Sequence, residues 1–540
     1  MNSKELVLSA MKRLPVQRVP WVPFVGCHGG ALIGLKAHEY LTNEQNLVNG
    51  IRKAIHRYKP DGIPIMFDLQ IEAEILGCEL VWSDENPPAV STHPLSVGKT
   101  ISELHIPENT EGRIPLVTNA AKTIRGEFPD IALYGLVTGP FTLAMHLAGT
   151  DMFMKMYEDP EYVQKLLVFC RDVCLSMSGY YIDAGCDIIA VVDPLTSQIS
   201  EEQFRQYITE PMQDIFSSIN KLGSLSSFFV CGHAQHNIEA MAECRPDNIS
   251  IDENIPLDFV RDICEQKNIS FGGNMQLTIT LLLGNETDAQ HNAMECIQTA
   301  GDTGFILAPG CDLPYATPPE NMEAVTRLVR DPYQQQVIST LENHKSTLDI
   351  PDMSDYGASD KVIIDIITLD SESCAPCQYM VESVKQIAPR FKHIVEWREH
   401  KIKHQESIQF MTALMVKNIP TICIDGKITF VSRIPGEQEL IQAIQKRINE
   451  KLYHKIRVRK GSIFILGRDN SEIQQLKPVV EEAIQELGAD VPVVEISDEK
   501  EILSFGITRT PAVVTATYKI KSEEKTPSVP VTKEWIKDLL

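Results

Sequence analysis

Cys374-Ala375-Pro376-Cys377 is the constellation in this chain whose residue types and spacing most directly imply chemistry. Two thiols at this spacing, at the start of a helix, share its positive dipole end, which lowers the pKa of the first and makes it an attacking thiolate. The second then resolves the mixed disulfide. Downstream, Asn418-Ile419-Pro420-Thr421-Ile422-Cys423-Ile424 reads as a proline leading straight into a strand, so that a cis peptide at Pro420 can stand against the thiols. Zinc is the competing use of such a pair, but no second Cys or His pair follows nearby at ligand spacing.

The elements that must position these groups run in a definite order. The apolar run Val362-Ile363-Ile364-Asp365-Ile366-Ile367 predicts a strand, followed by the cysteine pair, a helix, the proline-led strand, an Asp425-Gly426 turn, a strand and a helix. That order resembles thioredoxin. After residue 452 it recurs: Gly461-Ser462-Ile463-Phe464-Ile465-Leu466-Gly467, an amphipathic helix over 479–487, a strand over 491–496, then Thr510-Pro511-Ala512-Val513-Val514. Arg468-Asp469-Asn470 stands where the cysteines would be, so the second copy cannot do disulfide chemistry and is expected to serve packing or docking.

The chain has 540 residues and a formal net charge of -23, which leaves no basic face for nucleic acid. Its thirteen cysteines are mostly scattered singly through apolar stretches, as at Cys170, Cys186 and Cys264, which points to a reducing cytoplasm. No apolar run is long enough for a signal peptide or a membrane span. Short branched-residue runs alternate with amphipathic stretches through the first 345 residues, for example Ile131-Ala132-Leu133-Tyr134-Gly135-Leu136-Val137 and Gly185-Cys186-Asp187-Ile188-Ile189-Ala190-Val191-Val192. This is the pattern of buried parallel strands with helical crossovers, and at this length it predicts an α/β fold of the (β/α)8 TIM-barrel type. The expected organisation is therefore a barrel over 1–345, a polar linker over 346–359, a unit with the cysteine pair over 360–452 and a cysteine-free unit over 453–540.

Polar groups just after barrel strands point into the ligand-binding face. The candidates are Asp68 after Met66-Phe67, Asp193-Pro194 after Val191-Val192, Cys231-Gly232-His233 after Phe228-Phe229-Val230, and Pro309-Gly310-Cys311-Asp312 after Ile306-Leu307-Ala308. Gly26-Cys27-His28-Gly29-Gly30 follows the expected first strand, Val22-Pro23-Phe24-Val25.

Three segments carry a more specific resemblance: Phe67-Asp68-Leu69-Gln70-Ile71-Glu72-Ala73-Glu74, Gly135-Leu136-Val137-Thr138-Gly139-Pro140-Phe141-Thr142-Leu143-Ala144, and Leu307-Ala308-Pro309-Gly310-Cys311-Asp312-Leu313-Pro314. They look like the uroporphyrinogen decarboxylase superfamily, and within it are more similar to the corrinoid-linked methyltransferases, including methylcobamide:coenzyme M methyltransferases. The decarboxylases' arginine-rich N-terminal motif, suited to binding many carboxylates, has no arginine in the matching stretch 22–34. Asp68 is retained, while His146 and Cys311 fall where the decarboxylases place a Tyr and a His. The methyltransferase resemblance implies zinc held by His-x-Cys and a Pro-Gly-Cys turn, activating an acceptor thiol. Cys231 and Cys311 match the cysteines, but Phe229 occupies the histidine position. His233 is then the candidate third ligand, with His28, Cys27 or His146 as substitutes, or no zinc binds.

These readings assign Asp68, Cys374 and Cys377 to catalysis, and Cys231, Cys311 and His233 to metal. His28, His146, Asp193 and Pro420 are assigned to the substrate- or corrinoid-facing wall. The resemblance implies a methyl group moved between a corrinoid protein and a small thiol or pterin, with a thioredoxin reductase-like electron donor for the fused redox unit. Because the chain lacks an Asp-x-His-x-x-Gly signature, the corrinoid is expected on a partner protein. Two alternatives stand beside it: a metal-free barrel scaffold that delivers the thiol pair to a client protein, and a decarboxylase for a smaller substrate.

Overall fold

The computed structural model describes residues 1–301, 303–340, 356, 361–372, 374–391, 394–457, 462–487, 491–505, 507, 509–515, 520–523 and 527–537. The expected linker, 346–359, lies outside the described residues apart from Tyr356.

Seven parallel strands follow one another around a curled sheet in chain order: β1 (Gly62–Pro64), β2 (Ala132–Thr138), β3 (Ile188–Val192), β4 (Leu225–Val230), β5 (Asn248–Ile251), β6 (Ser270–Met275) and β7 (Phe305–Pro309). Each pairs with the next in parallel register, for example Val191 with Phe228 and Gly272 with Ile306. Parallel neighbours need crossovers, and amphipathic helices supply them. The longest, Pro160–Asp183, starts on an Asp159 cap that accepts from the Tyr162 N–H, carries proline in its first turn, and buries Val163, Leu166, Leu167, Cys170, Val173, Cys174 and Met177 on one stripe.

The expected first strand, 22–25, is reduced to a single bridge, Trp21 to Leu307. Pro20 and Pro23 flank that bridge and have no N–H to give a ladder. The segment still closes the ring: Leu307 N–H donates to Pro20 O and Val22 N–H to Leu307 O, both at 3.0 Å, while Asp61 N–H donates to Trp21 O at 2.8 Å.

Side chains alternate across each strand. On β4, Phe228 and Val230 pack outward with the helices, whereas Phe229 points into the barrel with Phe24, Phe67 and Tyr134. Its ring centroid lies 5.2 Å from Phe24 and 5.8 Å from Phe67. This aromatic layer fills the barrel beneath its C-terminal mouth, and Cys231 and Cys311 rest on it.

A second sheet has the order β9-β8-β10-β11, built from β8 (Val362–Thr368), β9 (Val395–Lys401), β10 (Thr421–Ile424) and β11 (Lys427–Val431). β8 is buried along its whole length, parallel to β9 and antiparallel to β10. The β10–β11 hairpin turns through Asp425 and Gly426, both at positive φ as a two-residue primed turn requires. A third sheet repeats the arrangement as β13-β12-β14-β15, from β12 (Ile463–Leu466), β13 (Val493–Ile496), β14 (Ala512–Thr515) and β15 (Ile520–Glu523). Phe464, Leu466, Ile496 and Val514 from the third sheet share one core with Val362, Ile364, Ile366 and Ile424 from the second. Among the described residues no helix is long and apolar enough to cross a membrane.

Candidate functional site

The barrel mouth and the cysteine pair line one cavity of about 340 Å³. Cys27, Cys231 and Cys311 line it from the barrel, and Cys374, Cys377 and Pro420 line it from the second sheet. Cys231 follows β4 and Cys311 follows β7, and their sulfurs lie 2.9 Å apart. Of the eleven free cysteines, these two are half-buried and the other nine are buried. The Cys231 thiol is pushed well above its ordinary range by its hydrogen bond with Cys311, by burial and by the charges of Asp252 and Glu253.

Carboxylates fix the loops that carry these thiols. Asp252 accepts from the Gly232 N–H at 2.5 Å and from Asn254 N–H and Nδ2, which pins the turn after Cys231. Asp312 accepts from the Gly26 N–H at 2.8 Å. A Cβ on Gly26 would meet the Asp312 carboxylate at 2.3 Å, so glycine is required for this approach. Glu253 accepts from Leu277 N–H through Oε1, while its covered Oε2 has no partner among the described residues. Burial and the neighbouring Asp252 raise its carboxyl above the usual range.

Cys374 and Cys377 are joined as a disulfide at the head of the helix Ala375–Ile387. Cys374 is half-buried and Cys377 fully buried, and the Cys377 N–H donates to Cys374 Sγ at 3.4 Å. The Ile419-Pro420 peptide is cis and stands on the cavity wall with them. Side chains hold this unit on the barrel. The buried Tyr379 hydroxyl donates to Met145 O at 3.2 Å, Gln378 Nε2 donates to Val90 O at 2.8 Å, and Gln198 bridges Ser432 O and Ile434 N–H at 3.1 and 3.0 Å.

A family model for uroporphyrinogen decarboxylase (URO-D) matches residues 2–332. The chain belongs to the uroporphyrinogen decarboxylase family. Among curated relatives, the methylcobamide:CoM methyltransferase MtbA of Methanosarcina acetivorans is 24% identical over 339 residues, covering 61% of this chain and 97% of that protein. The methylcobamide:CoM methyltransferase MtaA of Methanosarcina barkeri is 27% identical over 348 residues, covering 61% of this chain and 98% of that one. A solved methyltransferase from Methanosarcina mazei superposes with a TM-score of 0.58 at 25% identity, covering 62% of this chain and 99% of that one. The family match ends at residue 332, before the second and third sheets begin.

Within this uroporphyrinogen decarboxylase barrel, several sequence-assigned residues do other work. His28 does not face the cavity: Tyr315 O accepts from Nδ1 at 3.0 Å and the Tyr58 hydroxyl sits 2.6 Å from Nε2, so both ring nitrogens are used. His146 is buried beside the docked unit, with Nδ1 3.3 Å from the Tyr379 hydroxyl, and is absent from the cavity wall. Asp193 caps the helix Pro140–Ala148, accepting from Phe141 N–H, Thr142 N–H and Thr142 Oγ1 at 3.0, 2.8 and 2.6 Å. Asp68 is buried and paired with Arg113 at 2.5 Å, and its other oxygen accepts from the Gln70 N–H at 2.8 Å.

The expected metal set is not assembled. Cys231 and Cys311 meet, but His233 is not on the cavity wall, and its Nδ1 has no partner among the described residues. Among those residues no group of three His, Cys, Asp or Glu side chains could hold a metal. The position that would complete His-x-Cys is filled by the Phe229 ring in the aromatic layer. The residues present offer two adjacent thiols and do not fit zinc. Arg113, Glu253 and Tyr379 were not singled out from sequence, although Tyr379 lies only two positions beyond Cys377.

Two buried histidines make the barrel acid-sensitive. Burial lowers His28 to about 4 and His146 to about 3. Both are held neutral in the fold, so their contribution is complete above the unfolded value of about 6.5 and is lost as pH falls toward the folded values. His28 alone is expected to cost about 2 kcal/mol at pH 5 relative to pH 8. Urea midpoints across that range should fall for the wild type and fall less steeply for His28→Gln.

Proposed function

We propose that this chain is a corrinoid-linked methyltransferase that moves a methyl group between a corrinoid carried by a partner protein and a small thiol, with a thioredoxin-like unit keeping the sulfur chemistry reduced. The observation that carries this reading is the single cavity lined by Cys231, Cys311, Cys374, Cys377 and Pro420. A disulfide-exchange pair beside an acceptor site has a use when the acceptor is sulfur and none when it is a pterin. The similarity to methylcobamide:CoM methyltransferases over the barrel supports the methyl donor's class.

In this reading the methyl group would pass to sulfur as its bond to the partner-borne corrinoid breaks, the electron pair staying with the corrinoid, and the thiol loses its proton. Glu253, whose covered Oε2 has no partner among the described residues, would receive it. Asp252 and Asp312 hold the two loops that shape the acceptor end. A reductase of the thioredoxin reductase type would return Cys374 and Cys377 to the dithiol.

The test is thiol-dependent demethylation of methylcobalamin by the reduced full-length protein, followed by the cobalamin spectrum with 2-mercaptoethanesulfonate and other small thiols. Saturable turnover is expected. No turnover with any thiol would favour a second reading, in which the barrel is a metal-free chamber and the only chemistry is at Cys374 and Cys377. The lack of a three-ligand metal group among the described residues is what supports that alternative.

A further inference from the structure

We propose that Cys231 and Cys311 are a second redox pair, which exchanges a disulfide with Cys374–Cys377 across the cavity they share. This deepens the proposed function by naming the resident electron partner of the C-terminal unit.

Three observations point the same way. First, the barrel thiols are already paired, with sulfurs 2.9 Å apart, and a disulfide needs an approach to about 2.05 Å, within reach of side-chain adjustment. Second, they are the half-buried members of an otherwise buried set of free thiols, and both face the cavity. Third, Cys374, the more accessible sulfur of its disulfide, faces the same cavity, together with Pro420. The face through which such a unit would engage a protein client is thus turned onto the barrel mouth and held there by Tyr379, Gln378 and Gln198. Its exchange partner lies on the barrel side.

The exchange balances without an outside reagent. Cys311, losing its thiol proton, attacks Cys374 Sγ, and Cys377 leaves as a thiolate at the helix N-terminus and takes up a proton. The second barrel thiol then attacks the mixed disulfide, releasing Cys374. Two electrons and two thiol protons pass from the barrel pair to Cys374 and Cys377, one disulfide is broken and one is made. The reverse reaction reduces the barrel pair. The arrangement seen, with a disulfide above and two thiols below, is the state before exchange.

Cys377→Ser in the full-length chain removes the leaving sulfur and should trap the intermediate. The variant is oxidised with glutathione disulfide, acid-quenched, alkylated and digested, and the peptides are mapped by mass spectrometry. A peptide joining Cys374 to Cys231 or Cys311 is expected, with complete loss of that peptide when Cys231 and Cys311 are also changed to Ser. Cys377→Ala, which buries no hydroxyl, is run alongside. Finding Cys374 only as a free thiol or a glutathione adduct in both variants would overturn the proposal. The mapping uses neither corrinoid nor methyl acceptor. Absence of the cross-link with methyl transfer intact sinks the relay alone, and the cross-link without methyl transfer sinks the transfer reading alone.

Discussion

Arg113→Ala is expected to destabilise the barrel by about 3–5 kcal/mol, the cost of stranding a buried charge. The Asp68 carboxylate has no exposed side-chain surface and receives Arg113 Nη1 at 2.5 Å. The same guanidinium donates through Nε to Glu74 at 2.8 Å and stacks over Trp82 at 5.0 Å. Removing it leaves Asp68 desolvated, with the Gln70 N–H as its remaining hydrogen bond among the described residues. Asp68→Asn combined with Arg113→Met removes both charges and should recover most of the loss, since a buried pair replaced by neutral groups of similar volume is often close to neutral. Urea denaturation of the two single variants and the double variant checks this. A loss below about 1 kcal/mol for Arg113→Ala, the range of an exposed pair, would refute the account.

The pairing also bears on what Asp68 does. Its two oxygens are committed to Arg113 and to the turn into the helix Ile71–Ile75, and the neighbours it positions, Phe67, Leu69 and Gln70, line the cavity. This geometry suits Asp68 to positioning those neighbours. A free carboxylate waiting to stabilise charge in a decarboxylation would need at least one oxygen directed into the cavity.

The strands that build the barrel were legible because branched apolar runs ended in turn residues, and the two C-terminal sheets because the order of their elements recurs. The bridge at Trp21 was less so, since prolines at 20 and 23 remove ladder donors while leaving the hydropathy of a strand intact. The cysteines at the site were legible from their turns. His28, His146 and Asp193 were not, because their residue types suit ligand contact and local satisfaction equally. Only the positions of Tyr58, Tyr315, Tyr379 and Thr142 decide between these uses. Docking of the cysteine pair on the mouth depends on contacts between residues far apart in sequence, such as Tyr379 with Met145, and no local pattern encodes it.

Phe229→His is expected to convert the site from a dithiol into a metal centre. Phe229 and Cys231 are two residues apart at the end of β4, so both project toward the barrel interior, where Cys311 already stands 2.9 Å from Cys231. An imidazole at 229 would supply the nitrogen that the present donor set lacks, and structural analogy with three-ligand sites predicts close to one zinc per chain. The wild type, offering two thiols on an aromatic floor, should retain far less after anaerobic dialysis. The imidazole also replaces a ring packed 5.2 Å from Phe24, so without metal the variant should lose about 1–3 kcal/mol as an unsatisfied polar group in an apolar layer. Zinc should restore that stability, and Cys311→Ser in the same background should abolish the restoration. A metal held by both sulfurs also removes them from exchange, so the Cys374 cross-link should disappear from Cys377→Ser when Phe229→His is added with zinc. Stoichiometric zinc in the wild type, lost on Cys311→Ser, would instead mean that a ligand outside the described residues completes the site. In that case the two thiols would be held for methyl transfer by a metal and would not shuttle electrons. The choice between these two chemistries therefore rests on one side chain in the floor of the cavity.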